Sequence, residues 1–399
     1  MGWIFVVTHL LKTSPDVIAR SVFCDDALGA PEEVTISNKG VPGVSSQAFS
    51  QRHYLSNNYP LFCPNLKLTI LGISSHSLGL LLRGLLTYLP GWQDRFSIGT
   101  GGTLSARYCY SVWLRHLVLA YEHNLIQGLP AAVAELGPGS SLGIGLAALI
   151  SGSQSYTALD VVRSATGQAN LRIFDELVGL FQQKVDLPGS DEFPNIKPPL
   201  QHLRFPSAIL SDTHLEKCLA PERLAALRAA LTQLSSDESC VTRRIMDASP
   251  ITYRVPWFDE NVIVASSLDM IFSQAVLEHV DDLPHTYQAL YCWLKPGGFM
   301  SHQIDFTSHG TAQEWNGHWT IPDFTWKIMR GRRPYMLNRQ PHSTHLNFIQ
   351  SNHFEVSCDN RLNKPSTIRR ENLAPGFIFL SDEDMSISGA FIQAVRPEG

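Results

Sequence analysis

The segment Glu135-Leu-Gly-Pro-Gly-Ser-Ser-Leu-Gly constrains this chain more than any other. It follows Ala131-Ala-Val-Ala-Glu-Leu, an apolar run that reads as a buried strand. It opens Ser141 to Ile150, a small-residue stretch that reads as a helix. Glycines at such a junction permit a tight turn and a close approach of backbone to a ligand. Gly137, Gly139 and Gly143 give G-x-G-x-x-x-G, which differs from the G-x-G-x-x-G of dinucleotide sites, and no G-K-[ST] follows, so a P-loop is excluded. Asp160 ends the next strand, Tyr156-Thr-Ala-Leu-Asp, twenty-one residues beyond Gly139. A carboxylate there can accept hydrogen bonds from ribose hydroxyls.

The pattern around this turn alternates strand and helix. A helix is expected at about 169 to 184, strands at Ile251-Thr-Tyr-Arg-Val and Leu268-Asp-Met-Ile-Phe-Ser, a helix at about 284 to 294, and a strand at Phe299-Met-Ser-His-Gln-Ile. Phe354-Glu-Val-Ser-Cys and Ala390-Phe-Ile-Gln-Ala-Val read as a terminal pair of strands. Such alternation implies a mostly parallel sheet covered by helices on both faces. The proline-rich stretch after residue 186 and the helix that follows it interrupt the alternation, and 186 to 248 reads as an inserted lid. Residues 61 to 130 read as a helical N-terminal region, with helices near 78–89 and 105–125. Between them Gly99-Thr-Gly-Gly-Thr reads as a helix-entry turn in preference to a ligand loop. Residues 1 to 60 read as a loosely ordered extension.

These motifs, in this order, resemble the class I S-adenosylmethionine-dependent methyltransferases, of the type 11 kind, over about residues 131 to 399. The resemblance rests on Glu135-Leu-Gly-Pro-Gly, on Asp160, on Asp269-Met-Ile-Phe-Ser-Gln-Ala-Val-Leu-Glu-His-Val, and on Leu294-Lys-Pro-Gly-Gly. It implies a Rossmann-like α/β sheet with an antiparallel last strand and S-adenosyl-L-methionine as cofactor, released as S-adenosyl-L-homocysteine. Glu135, Gly137, Pro138, Gly139 and Ser140 would form the cofactor turn, with the methionine part against the two glycines. Asp160 would hold the ribose, and Ser273 and Gln274 would line the cofactor after the fourth strand. The chain departs from the family after the third strand, where Ile251-Thr-Tyr-Arg-Val-Pro-Trp lacks the acid often placed against adenine. Glu278-His279 falls in a motif that is mostly helical packing in the family, and it reads as structural.

Methyl transfer from a sulfonium has a good leaving group already, so the protein supplies positioning, exclusion of water and a base for the acceptor proton. The fifth strand ends at His302, Asp305 and His309, at the rim where ligands of α/β sheets sit. His302 or His309 is the candidate base, with Asp305 orienting the imidazole. The same trio as ligands of a divalent metal is the less favoured reading, and a purely structural turn is the third. Residues 315 to 345, with Trp315, Trp319, Trp326, Arg332, Arg333, Tyr335 and Arg339, suit either a sugar-binding surface or a packed connection.

Composition narrows the function classes. Apolar residues make up 44% of the 399, and 31 basic residues against 36 acidic ones give a charge of -5, which offers no footprint for nucleic acid or an anionic membrane. Seven scattered cysteines without a C-x-x-C pair fit a reducing compartment. The apolar start lacks the features of a signal peptide, and Leu78 to Leu86 is too short and carries Arg83, so a cytoplasmic location is expected. The expected partner is a small-molecule or sugar acceptor methylated on oxygen. N-methylation and a non-catalytic binding platform are the alternatives, and the oligomeric state is open, a homodimer included. An aminopropyl transferase would call for carboxylates near the fourth strand that Ser273-Gln-Ala-Val does not offer.

Overall fold

The computed structural model describes residues 75–89, 102–165, 167–194, 196–236, 249–257, 259–333 and 335–398. The expected extension 1–60, the start of the 99–103 loop and the end of the expected lid, 237–248, lie outside the described residues. The chain divides into two compact units, Met1–Gly79 and Leu80–Gly399, and the second carries the sheet.

The strands are β1 (Ala132–Leu136), β2 (Ser155–Leu159), β3 (Ile251–Arg254), β4 (Leu268–Gln274), β5 (Leu294–Asp305), β6 (Glu355–Asn363) and β7 (Ile387–Val395). They form one sheet in the order β3-β2-β1-β4-β5-β7-β6. The first five run parallel, and β7 lies antiparallel between β5 and β6. This is the Rossmann-like sheet with one reversed strand that the sequence led us to expect.

The helices are α1 (Ser75–Leu86), α2 (Ala106–Glu122), α3 (Gly143–Ser151), α4 (Gly167–Gln182), α5 (Asp212–Cys218), α6 (Pro221–Ser236), α7 (Leu283–Trp293), α8 (Asp323–Arg330) and α9 (His342–Ser351). Strand residues alternate between two cores because successive side chains point to opposite faces. Val133, Met270, Phe272 and Phe299 pack under α2, α3, α4 and α6, whereas Ala134, Ile271, Met300 and Ile304 pack with Leu290 and Trp293 of α7 and Ile349 of α9.

Two features differ from the expected domain plan. Helix α2 does not belong to a separate N-terminal region: Cys109, Val112, Trp113 and Leu117 are buried in the first core. Its contact with α3 is close enough that a Cβ on Gly143 would lie 2.5 Å from Cys109 Sγ, which explains the third glycine of the motif as a packing residue. The stretch 186–248 is likewise not one lid. Helix α6 buries Leu227 and Leu231 against the sheet as a body helix. Only the segment before α5 behaves as a strap, and α2 fastens it. The Tyr110 hydroxyl donates to Val185 O at 2.6 Å, and buried Arg115 donates to Pro188 O and Pro198 O, each at 2.6 Å. Arg107 meets Glu192 at 3.0 Å, and the rings of Tyr108 and Phe193 pack edge to face. Sequence periodicity does not see this, because the strap is held by hydrogen bonds across a wide sequence gap.

Candidate active site

The rim at the carboxyl ends of the parallel strands has two halves. On the β1–β2 side the backbone does most of the work. Gly137 and Gly139 both sit in the left-handed region, at φ 62° and 73°, where side chains are strained. A Cβ on Gly137 would also lie 2.7 Å from Val276 Cγ2. The Gly137 amide donates to Leu159 O at 2.8 Å, which ties the turn to the end of β2. Pro138 is buried beside the glycines. The Ser140 amide donates to Thr103 Oγ1 at 3.1 Å, so the helix-entry turn before α2 braces the glycine turn.

Glu135 lies beneath this turn and is fully buried; it accepts a hydrogen bond from the Tyr156 hydroxyl at 2.5 Å. Burial raises its carboxyl to about 8, despite the opposing pull of that hydrogen bond. Its carboxyl thus braces the turn from beneath through Tyr156. Gly145 lets the Tyr156 ring approach, since a Cβ there would come within 2.0 Å of it. Asp160 stands at the end of β2, its Oδ1 accepting from the amide of Val161 at 2.7 Å. Burial raises its pKa, and the amides of Val161, Val162 and Gly139 offset part of that rise. After β3, where an acid was missed in the sequence, Trp257 donates its amide to Asp160 O at 3.2 Å.

The β4–β5 side is built from side chains, and it separates the expected trio. His302 is 1% exposed, and its Nδ1 lies 2.8 Å from the Ser273 hydroxyl, within the core shared with α7 and α9. Asp305 is three residues further on, about 10 Å along the strand and on the opposite face. Burial holds the His302 imidazole down at about 3, and neighbouring His116 and His345 add to this. His302 and Ser273 are thus interior partners and not rim groups, which removes both the His302 base and the three-ligand metal set.

Asp305 and His309 do meet, with Nε2 3.5 Å from Oδ1. The strap adds a group that sequence reading missed: Lys197 Nζ reaches Asp305 Oδ2 at 3.0 Å, and Lys197 O accepts from Gln274 Nε2 at 3.1 Å. Burial works to raise the Asp305 carboxyl, but the His309 hydrogen bond and the Lys197 charge outweigh it and hold the group well below the carboxylate range. His309 itself adopts a left-handed backbone, φ 46°, a strained conformation of the kind found at functional sites. Glu278, expected to be structural, is 3% exposed and accepts the Asp305 amide on Oε1 at 3.3 Å. The Gln274 side chain is buried at its amide end beside His116 and Tyr108 of α2, both of which it perturbs by hydrogen bonding. The described residues contain no cluster of three or more metal-ligating groups, and none of their helices is long and apolar enough to cross a membrane.

The strand order, the single reversed strand and a glycine turn at the end of β1 decide the architecture. The fold is a Rossmann-like α/β sheet with one reversed strand. No family model and no curated protein matches the sequence. Among solved structures, a S-adenosylmethionine-dependent methyltransferase from Mesorhizobium loti is 12% identical, with a TM-score of 0.34 over 72% of this chain and 98% of that one. A counterpart from Methanosarcina mazei is 14% identical, with a TM-score of 0.36 over 70% and 98%. Phosphoethanolamine N-methyltransferase 2 of Haemonchus contortus, solved with S-adenosyl-L-methionine, is 14% identical, with a TM-score of 0.35 over 82% of this chain and 61% of that one.

Proposed function

We propose that this chain is an S-adenosylmethionine-dependent methyltransferase acting on a hydroxyl of a small molecule or sugar. The observation that carries the reading is the pair of left-handed glycines, Gly137 and Gly139, beside Asp160 at the ends of adjacent strands. Such a turn presents backbone to a ligand, and the carboxylate beside it suits a ribose diol. Gln274 stands across the rim, its Nε2 donating to Lys197 O at 3.1 Å. Gly137, Gly139, Asp160 and Gln274 would hold the cofactor, with Pro138 and Ser140 shaping the turn. When bound, the cofactor supplies a methyl group on a sulfonium whose departure leaves a neutral thioether.

The remaining chemistry belongs to the acceptor proton. His309 Nε2 faces Asp305, so Nδ1 is the atom available to take the hydroxyl proton as the oxygen gains its methyl group. Asp305 stays ionised and stabilises the resulting imidazolium. Lys197 and the strap shield that pair from water. Calorimetric titration with S-adenosylmethionine and S-adenosylhomocysteine, with NAD as control, tests the reading. Micromolar binding of the first two alone is expected, and binding of neither overturns it. An acceptor screen that finds amines methylated in place of hydroxyls overturns the oxygen assignment.

A further inference from the structure

Beyond β4 and β5, the rim continues into a small cavity lined by Glu278, Asp305, Phe306, His318, Asn338 and Arg339, with room for a single water-sized group. Three of the lining residues carry a buried polar atom without a hydrogen-bond partner among the described residues: Glu278 Oε2, His318 Nδ1 and Arg339 Nε. The parent residues are 3%, 2% and 7% exposed. Buried polar atoms left unpaired cost about 1–3 kcal/mol each, so three around one space call for an occupant.

The charges around the cavity are already matched. Asp305 is paired with Lys197 at 3.0 Å, and Arg339 with Asp323 at 2.5 Å. Arg339 is further fixed over the Trp326 and Phe377 rings, and its Nη1 donates to Ile321 O at 2.7 Å. Burial pushes the Glu278 carboxyl well above its ordinary range, which favours its protonated form. Oε1 accepts the Asp305 amide, which leaves Oε2 as the carrier of the hydrogen. Burial and the Arg339 charge hold His318 near 3, so its imidazole is neutral and Nδ1 can accept. An anion or a cation entering here would bring an unmatched charge into a dry site, which is costly. A hydroxyl both donates and accepts, and it fits donors on Arg339 Nε and Glu278 Oε2 with an acceptor on His318 Nδ1.

We propose that this cavity seats a hydroxyl of an uncharged polyhydroxy acceptor, next to the hydroxyl that the Asp305–His309 pair activates. The inference rests on the methyltransferase reading and narrows its substrate class to neutral vicinal polyols, sugars included. Glu278, His318 and Arg339 are then specificity residues, and the aromatic and polar stretch 315–345 contributes through two of them.

The test is saturation-transfer NMR on the intact protein loaded with S-adenosylhomocysteine. The probes are methyl α-glucopyranoside, methyl α-rhamnopyranoside and myo-inositol, against glucuronic acid and glucosamine. Binding of at least one neutral polyol and neither charged sugar is expected. Glu278→Met should weaken that binding at least about tenfold, and His318→Phe, which removes the acceptor from the opposite wall, should do the same. Glu278→Gln keeps both hydrogen-bonding ends and should retain it. Binding that favours a charged sugar, no binding of any neutral polyol, or binding unchanged in both Glu278→Met and His318→Phe overturns the proposal, since water alone would then fill the cavity. Calorimetric affinity for S-adenosylhomocysteine, measured on the same samples, reports separately on the methyltransferase reading.

Discussion

On the β1–β2 side of the rim, the candidate binding parts are backbone conformations within Glu135–Asp160: two left-handed glycines, a braced turn and one carboxylate. On the β4–β5 side they are side chains gathered from Lys197, Glu278, Asp305, His309, His318 and Arg339. The first half is specified locally, by glycines at φ values where a side chain is strained. The second depends on the strap and on the loops beyond β5 arriving together.

Acid should break the comparison most strongly. Burial holds His116, His302, His318 and His345 at about 3, below the 6.5 of a free imidazole. Their neutral packing stabilises the fold fully above pH 6.5, and this is lost as pH falls toward 3, because the unfolded chain takes up the protons. Each contributes about 1.4 kcal/mol per pH unit in that window as an upper bound, so denaturant midpoints measured from pH 7 to 4 should fall steeply. A flat profile would mean that these imidazoles are solvated.

His309→Ala should lower turnover by roughly 10²–10⁴ while cofactor affinity is unchanged. Full activity would remove the base from the β4–β5 side. Gly137→Ala forces a side chain into a left-handed turn against Val276, at about 1–3 kcal/mol. Calorimetry should find the cofactor bound roughly 5- to 150-fold more weakly. Asp160→Ala should cost about 1–3 kcal/mol of the same affinity through lost ribose hydrogen bonds, and unchanged binding would contradict its assignment. The smallest effect on catalysis belongs to His302→Gln. It should lower the melting temperature, leaving Ser273 poorly partnered, yet keep the pH–rate profile of the native enzyme. A shifted profile would return His302 to the catalytic group.

The sheet was legible because its strands announce themselves by apolar runs and its key turn by glycine. The expected strands at 131–136, 268–273 and 299–304 all lie within or beside observed strands. The rim was half legible. Asp305 and His309 are four residues apart beyond a strand and meet, but His302 shares their sequence neighbourhood without sharing their face, since an odd offset along a strand reverses the side chain. Lys197 carried no signal at all: it reaches Asp305 across a gap of 108 residues. Glu278 sits in a motif that reads as packing, and its burial beside Asp305 gives it a polar role. The helix at 221–236 was joined to a lid because the prolines before it interrupt the pattern, whereas its buried Leu227 and Leu231 make it part of the body.

By itself, then, the sequence determined the alternation of strands and helices, the glycine turn and the acid that follows it, because short-range sterics and hydrophobic periodicity act within a few residues. Only the tertiary structure decided that α2 belongs to the core and fastens a strap, that Glu135 is buried against Tyr156, and that His302 is interior while His309 is not. Those outcomes depend on burial and on partners far away in the chain, and burial is what sets whether a carboxyl or an imidazole carries charge.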